Sequence, residues 1–426
     1  MLFAFPSLKN YLVVMNPVIV VHHHEITLKR GNRGYFEKML MNNIRTALKD
    51  FSSQFTIRGG YGRFVIEFDS PDTNIEELAQ RLKLVFGIAN ICVGVKVEQR
   101  IETFCSIAGQ LLNDTSFQTI RVHTTRPDKR FPMNSVAVNV KVGEYLCNRF
   151  SVRANLTSPD ETIFIEIVEG VAYIYRSKIQ GAGGLPVGAS GKVVSLLSAG
   201  FDSPVASWRM LKRGCNVLFV HFHSMPYTGI QALEQVRDLV TVLTKYQFHS
   251  KLFIVPFADV QNEIVLNTPQ HLRVIFYRRF MIRVAEALAK ERKAEALVTG
   301  EAVGQVASQT LRNIRVIDEA ATMPILRPLS GMDKEETMAT ARIIGSYDIS
   351  KEPYDDCCSF LAPRNPATWA SLEEVHEAES KLDITQLVEM GLSNMTMEEF
   401  FVPQLQKKSM KEKLNTTDKA EQVVHA

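Results

Sequence analysis

Cysteine is scarce in this chain. Six occur in 426 residues, at positions 92, 105, 147, 215, 357 and 358, with no CxxC spacing among them. That pattern excludes a zinc ribbon and offers no disulfide framework, so the thiols read as reduced and the compartment as cytoplasmic. Long apolar runs are missing too. The stretch from Tyr11 to Val21 is too short to span a bilayer and is interrupted by Asn16 and Pro17. The first ten residues hold one cation, Lys9, and no small-residue cleavage site, so neither a secretory leader nor a membrane partner is expected. A strong net charge is absent from the whole, at +3, but not from its parts. Residues 1–194 carry 23 Lys and Arg against 17 Asp and Glu; the remainder carries 26 against 29. A front part that favours polyanions, joined to a more neutral catalytic part, fits that division.

Hydrophobic residues make up 46% of the chain, enough for two or three domains with buried cores. In the first region, Val18–Val21 reads as a strand, Tyr35–Leu48 as a helix, and Phe55–Ile57 with Phe64–Phe68 as paired strands. A second unit alternates a helix (Ile75–Lys83), an extended segment (Val93–Val97), a helix (Phe104–Leu112) and a strand (Thr119–Thr124). A helix over Ser135–Arg149 and two short strands within Thr162–Tyr175 complete it. The run GAGGLPVG, Gly181 to Gly188, reads as a flexible hinge. Beyond it, strands at 193–197, 216–221, 251–256 and 295–299 alternate with helices, the pattern of a parallel sheet covered on both faces. The polar tail from about Gln404 reads as a surface helix or a disordered segment.

The stretch SLLSAGFDSPVASW, Ser195 to Trp208, carries the most chemistry. An apolar strand runs into small residues and then a helix. Small residues leave backbone N–H groups uncovered, and the helix N-terminus adds about half a positive charge, so an anion such as phosphate is suited there. No lysine follows the glycine, so this is not a Walker loop. The alternative is a structural turn with a capping serine or aspartate.

The loop resembles the SGGxDS motif of ATP pyrophosphatases, which cleave ATP between its α and β phosphates. The chain as a whole resembles the bacterial tRNA 4-thiouridine synthases, also called tRNA sulfurtransferases or ThiI. EITLKRGNRGYFE (Glu25 to Glu37), RPDKRFPMNS (Arg126 to Ser135), GAGGLPVG, HFHSMPYT (His221 to Thr228), VTGEAVGQVASQT (Val298 to Thr310), RPLSGMDKEE (Arg327 to Glu336) and the DDCCSF run around Cys357 occur in the family's order. The resemblance implies an α/β multidomain protein. Residues 1–71 would form an α+β ferredoxin-like domain, with 1–14 an extension if translation starts at Met15. Residues 72–178 would form an α/β THUMP domain that binds RNA, 179–192 a hinge, 193–400 a doubly wound parallel-sheet ATP pyrophosphatase (PP-loop) domain, and 401–426 a tail.

It also implies a reaction. ATP adenylates O4 of uridine 8 in tRNA, and persulfide sulfur from a cysteine desulfurase replaces the activated oxygen. By resemblance, Asp202, Cys357 and Cys358 are catalytic, with Asp202 also a ligand of Mg2+. Leu196, Leu197, Ser198, Gly200, Ser203, His221, Phe222, Arg278, Gly300 and Gln309 would bind ATP. Of the neighbours Arg278 and Arg279, one would serve ATP while the other faces solvent. Lys29, Arg30, Arg33, Arg126, Lys129 and Arg130 would meet RNA phosphates. Ala199 stands where the family has glycine, and strain is expected if that position needs a positive φ. Asp355 and Asp356 would raise the pKa of a neighbouring thiol. Adjacent cysteines do not readily pair, their Cα atoms being about 3.8 Å apart. The rhodanese domain that some family members carry has no expected counterpart after Cys358, which leaves sulfur to arrive directly from the desulfurase and puts a thiamine thiazole role in doubt. His221 with His223, and the run His22–His24, read as strand ends rather than metal sites. Two other readings remain open: a different PP-loop RNA-modifying enzyme, and an RNA-binding THUMP protein without catalysis.

Overall fold

The computed structural model describes residues 17–51, 55–60, 62–68, 73–354, 357, 363 and 366–402. The possible extension, Asp355, Asp356, Cys358 and the tail beyond 402 lie outside the described residues. The chain divides into two compact units, 1–185 and 186–426.

The first unit is built on one mixed sheet of nine strands. In chain order these are β1 (Pro17–His22), β2 (Phe55–Gly60), β3 (Arg63–Phe68), β4 (Asn90–Glu98), β5 (Thr119–Thr125), β6 (Arg153–Ala154), β7 (Glu161–Val168), β8 (Val171–Tyr175) and β9 (Ile179–Gln180). They lie in the order β2-β3-β1-β4-β8-β7-β5-β6, with β9 also on β4. The expected ferredoxin-like and THUMP regions therefore share a sheet, joined where β4 pairs with β1 on one side and β8 on the other. Hydrophobic alternation explains each half. Val18 and Val20 pack with Val65, Cys92 and Val168, while Phe104, Val138, Val142 and Leu146 from two helices cover Ile120, Val122, Ile163 and Ile165.

Beneath the junction lies a buried polar cluster. Glu166 on β7 is 4% exposed. It accepts from Tyr175 and Arg63 and lies 2.8 Å from His22 Nε2. Burial alone would push its carboxyl up, but His22, Arg63 and Tyr175 outweigh burial and hold it at about 2. Burial instead dominates at Cys92, whose thiol is pushed up to about 12 and stays a neutral core residue.

The glycine run departs from a flexible hinge at its first half. Gly181 N–H donates to Ala89 O at 2.9 Å and Gly183 N–H to Ile88 O at 2.7 Å. A Cβ on Gly181 would fall 2.3 Å from Ile88 O. The glycine is there for backbone approach rather than for freedom.

The second unit holds β10 (Lys192–Leu196), β11 (Asn216–His223), β12 (His249–Pro256), β13 (Ala296–Val298), β14 (Ile325–Leu326) and β15 (Thr396–Phe401). They lie in the order β14-β13-β10-β11-β12-β15. Neighbours pair in parallel except β12 and β15, which are antiparallel. Val193, Val194, Val217, Phe219, Val220 and Leu252–Val255 are buried almost without interruption, as a parallel sheet covered on both faces requires. The antiparallel edge strand was not expected from the sequence. Thr396–Phe401 is exposed or half-buried throughout, and its last residue stacks on His249 at 4.5 Å between ring centroids. The fold is α/β, with a doubly wound sheet whose strand order reverses at β10: β11 and β12 are laid on one side of it, β13 and β14 on the other.

Candidate active site

That reversal opens a crevice beyond the carboxyl ends of β10, β11 and β13, where ligands bind in open α/β sheets. A cleft of about 120 Å3 occupies it. Leu196, Leu197, Ser198, Ser203, His221, Phe222, Arg278, Gly300 and Gln309 line it, together with Asp202 and Cys357. Gly200 is the one proposed ATP contact outside the lining. Met281, Thr299 and Glu301 also line it and were not foreseen.

The loop after β10 is closed by serines. Ser203 Oγ accepts from Ser198 N–H at 2.9 Å and lies 3.1 Å from Ser198 Oγ. Ser207 Oγ ties the helix Asp202–Lys212 to β10 through Ser195 Oγ at 2.8 Å. Neither Ala199 nor Gly200 is among the described residues with a positive φ, so alanine at 199 carries no such strain. Gly200 has a different reason: a Cβ there would stand 3.0 Å from the Tyr354 hydroxyl. Gly300 is tighter. Its Cβ would meet Ser203 N at 2.6 Å, so only glycine lets the strand β13 loop lie against the helix start.

Asp202 is the first helical residue and does not cap the helix; the position before it, Phe201, shows no side-chain cap. The Asp202 carboxylate instead accepts from Gln305 Nε2 at 3.0 Å and lies 3.5 Å from Lys334 Nζ. Lys334 also sits over the Phe201 ring, 5.2 Å from its centroid. Its position in SGMDKEE, at the N-terminal turn of a helix with an Asp333–Glu336 capping box, was the available signal for it. The helix N-terminus thus has a carboxylate, Asp202, beside a lysine, Lys334, a set suited to triphosphate with Mg2+. Magnesium needs only one or two protein carboxylates when phosphates supply the other oxygens, so Asp202 alone fits it. No cluster of three His, Cys, Asp or Glu suited to a metal occurs among the described residues.

Deeper in the cleft, His221 Nδ1 is 2.9 Å from Leu197 O, which fixes the ring. His223 Nδ1 accepts from Met225 N–H at 3.3 Å, and burial lowers its pKa, keeping it neutral. Gln309 is 7% exposed, and its Oε1 is buried with no hydrogen-bond partner among the described residues. A buried orphan acceptor facing a cleft is paired once a ligand N–H arrives. Glu301 accepts from Arg327 Nε at 2.8 Å and Thr299 Oγ1 at 3.0 Å, forming the polar floor. Arg278 lines the cleft, but Arg279 does not face solvent as expected. It is 0% exposed and donates to Glu379 at 2.7 and 3.0 Å and to Glu319 at 2.8 Å.

Cys357 lines the same cleft and also a much smaller one, which it shares with Tyr354, His223 and Thr228. Its carbonyl accepts from Gln261 Nε2 at 2.8 Å.

The six proposed RNA contacts belong to the first unit. Lys29 lies 5.3 Å over the Phe36 ring and Arg33 pairs with Glu37 at 2.8 Å. Arg30 is exposed and holds φ 41°, ψ −117°, which side-chain-bearing residues rarely adopt. Arg126 donates to Phe131 O and Met133 O at 2.6 and 2.9 Å, so it shapes its own loop. Lys129 is exposed, and Arg130 grips Asp128 through two nitrogens at 2.9 and 3.0 Å.

Three family models match in sequence. They are the ThiI ferredoxin-like domain over 18–92, the THUMP domain over 101–176, and the thiamine biosynthesis protein (ThiI) model over 188–384. A probable tRNA sulfurtransferase from Caldanaerobacter subterraneus subsp. tengcongensis is 41% identical over 88% of this chain and 98% of its own length. The chain belongs to the tRNA sulfurtransferase family. A relative of the same description from Brevibacillus brevis is 40% identical, covering 90% of this chain and 96% of its own. The fold is similar to a crystal structure of a 4-thiouridine synthetase–RNA complex with bound ATP. That comparison gives a TM-score of 0.82 at 35% identity and covers 90% of this chain and all of the other. No described helix is long and apolar enough to cross a membrane.

Proposed function

We propose that this protein is a cytoplasmic, ATP-dependent tRNA sulfurtransferase that converts uridine 8 to 4-thiouridine. The observation that carries this reading is that Cys357 and the serine loop line one cleft, which brings a thiol to an anion site. The solved 4-thiouridine synthetase with RNA and ATP supports it.

A uracil carbonyl oxygen is a poor leaving group. Attack of O4 on the α-phosphate of ATP expels pyrophosphate and makes AMP the leaving group at C4. The loop N–H groups near Ser198, Gly200 and Ser203 would hold the departing pyrophosphate, aided by Lys334. Asp202 would hold Mg2+, which supplies charge neutralisation on the phosphates when bound. Leu196, Leu197 and Phe222 would flank adenine, and the Gln309 amide oxygen would accept from its amino group. His221, Arg278 and Gly300 complete the proposed ATP contacts.

A persulfide on Cys357, or on Cys358, would be loaded by a cysteine desulfurase. Its terminal sulfur attacks C4 and AMP departs with its electron pair. A second thiol must then attack the bridging cysteine sulfur to free the thiocarbonyl, leaving a disulfide that an external thiol reduces. Lys29, Arg30, Arg33, Arg126, Lys129 and Arg130 would position the RNA through its backbone. The test is incubation of the protein with tRNA, Mg-ATP and a desulfurase, followed by near-ultraviolet absorbance. Formation of 4-thiouridine only when all are present is expected. Thiolation without ATP would overturn the reading.

A further inference from the structure

Gln261 is out of place for a packing residue. It lies on the helix Ala258–Asn267 between Val260 and Ile264, which are both core, and is itself 0% exposed. An apolar side chain would fill that position without having to satisfy a buried amide. The amide is nevertheless engaged at both ends. Ser224, 0% exposed just beyond the end of β11, donates its hydroxyl hydrogen to Gln261 Oε1 at 2.5 Å. The other end, Nε2, donates an N–H to the carbonyl of Cys357, 2.8 Å away. That carbonyl can only accept, so it fixes which end of the amide is nitrogen. Ser224 Oγ itself lies 3.3 Å from the same carbonyl. The two residues come from separate elements, a helix and the turn after β11, and converge on one peptide of a distant segment, 96 and 133 positions further along the chain.

The gripped peptide is that of the residue standing where the two clefts meet. A main-chain grip sets where the Cα–Cβ bond points without itself engaging the sulfur. A grip on the thiol would do the opposite. Chemistry at a bound substrate depends steeply on such placement, since an error of about 1 Å costs on the order of 100-fold in rate.

We propose that Ser224 and Gln261 form a relay that positions the sulfur-carrying cysteine at the ATP cleft, and that they act in the sulfur-transfer step and not in adenylation. The inference rests on the reading of Cys357 as the sulfur carrier. Gln261 and Ser224 are positioning residues: neither lines the larger cleft.

The experiment uses the full-length protein with tRNA, Mg-ATP and a persulfide donor. It follows pyrophosphate and 4-thiouridine separately in single turnovers of Q261L, Q261E, S224A, C357S and C358S. Q261L is expected to keep the pyrophosphate burst and the KM for ATP, while 4-thiouridine formation falls roughly 10- to 100-fold. S224A is expected to do the same more weakly. Q261E can donate to the carbonyl only when protonated, so its thiolation rate should rise as pH falls, a profile that loss of packing would not produce. Loss of thiolation in C357S but not in C358S supports the underlying reading. If C357S thiolates normally, that reading fails and the relay fails with it. If C357S is inactive while Q261L and Q261E thiolate at the wild-type rate, the relay alone is overturned. An equal loss of pyrophosphate and 4-thiouridine in Q261L also overturns it, because the residue then serves the whole fold of the site.

Discussion

Two glycines in the catalytic unit show how differently one residue type can be required. Gly200 leaves room for a tyrosine hydroxyl, whereas Gly300 leaves room for the backbone of Ser203. A tyrosine can shift and a helix N-terminus cannot. G300A is therefore expected to destabilise the second unit by about 1–3 kcal/mol, the usual range for overpacking, and to raise the KM for ATP. G200A should cost well under that, and urea unfolding of both variants would separate them. Asp202 is the residue on which the chemistry rests. D202A is expected to lower single-turnover pyrophosphate release by about 100-fold or more, with tRNA affinity unchanged. An unaltered rate would remove Asp202 from the mechanism. Lys334 was not picked out as a site residue from the sequence: SGMDKEE marks a helix start, but the link to Asp202 spans 132 positions. By contrast Leu197, Ser198, Asp202 and Ser203 were legible, since strand, small-residue turn and helix N-terminus follow one another directly along the chain.

Elements carry the buried charge of both units. On the helix Arg273–Glu291, Arg279 is enclosed by Glu379 and Glu319, with Arg283 on the same carboxylate at 2.6 Å. Burial alone would push the Glu379 carboxyl up, but Arg283 and Arg279 hold it at about 2. E379A leaves two guanidinium groups short of a partner and should cost about 3–5 kcal/mol in urea unfolding. Only the helical run was readable there; which of two adjacent arginines turns inward is decided by a partner 100 residues away. Edge strand β15 was missed for a related reason. Its alternation is weak, and its pairing with β12 supplies what the local pattern lacks. In the first unit, Glu166 links β7 to β1, β3 and β8. Its folded pKa of about 2 lies below the ordinary glutamate value of 4.5. The stability it contributes is therefore complete above about pH 4.5 and is lost as pH falls toward 2, a loss on the order of 3 kcal/mol. E166Q should flatten that acid limb in a pH series of thermal unfolding, and an unchanged limb would contradict the assignment.

For the whole molecule, the division of charge between the two units matters more than the net value. The proposed RNA contacts all fall in the unit with the basic excess. Affinity for tRNA should fall linearly on a log–log plot against salt, and the double variant K129A/R130A should reduce that slope by about one per phosphate contact removed. Filter binding across a salt series would read this directly. The same variant should leave ATP binding unchanged, because its residues belong to a different unit from the cleft. The architecture of each unit was largely readable from periodicity. The single sheet shared by the first two regions was not, because β4 makes that join through both of its edges at once.

The central claim is that adenylation and sulfur transfer are two steps in one cleft, separable at its cysteine. The most direct test is a single-turnover assay of the C357A/C358A double variant with tRNA, Mg-ATP and a persulfide donor. A pyrophosphate burst stoichiometric with tRNA and no 4-thiouridine is the predicted result. Thiolation at the wild-type rate would contradict it.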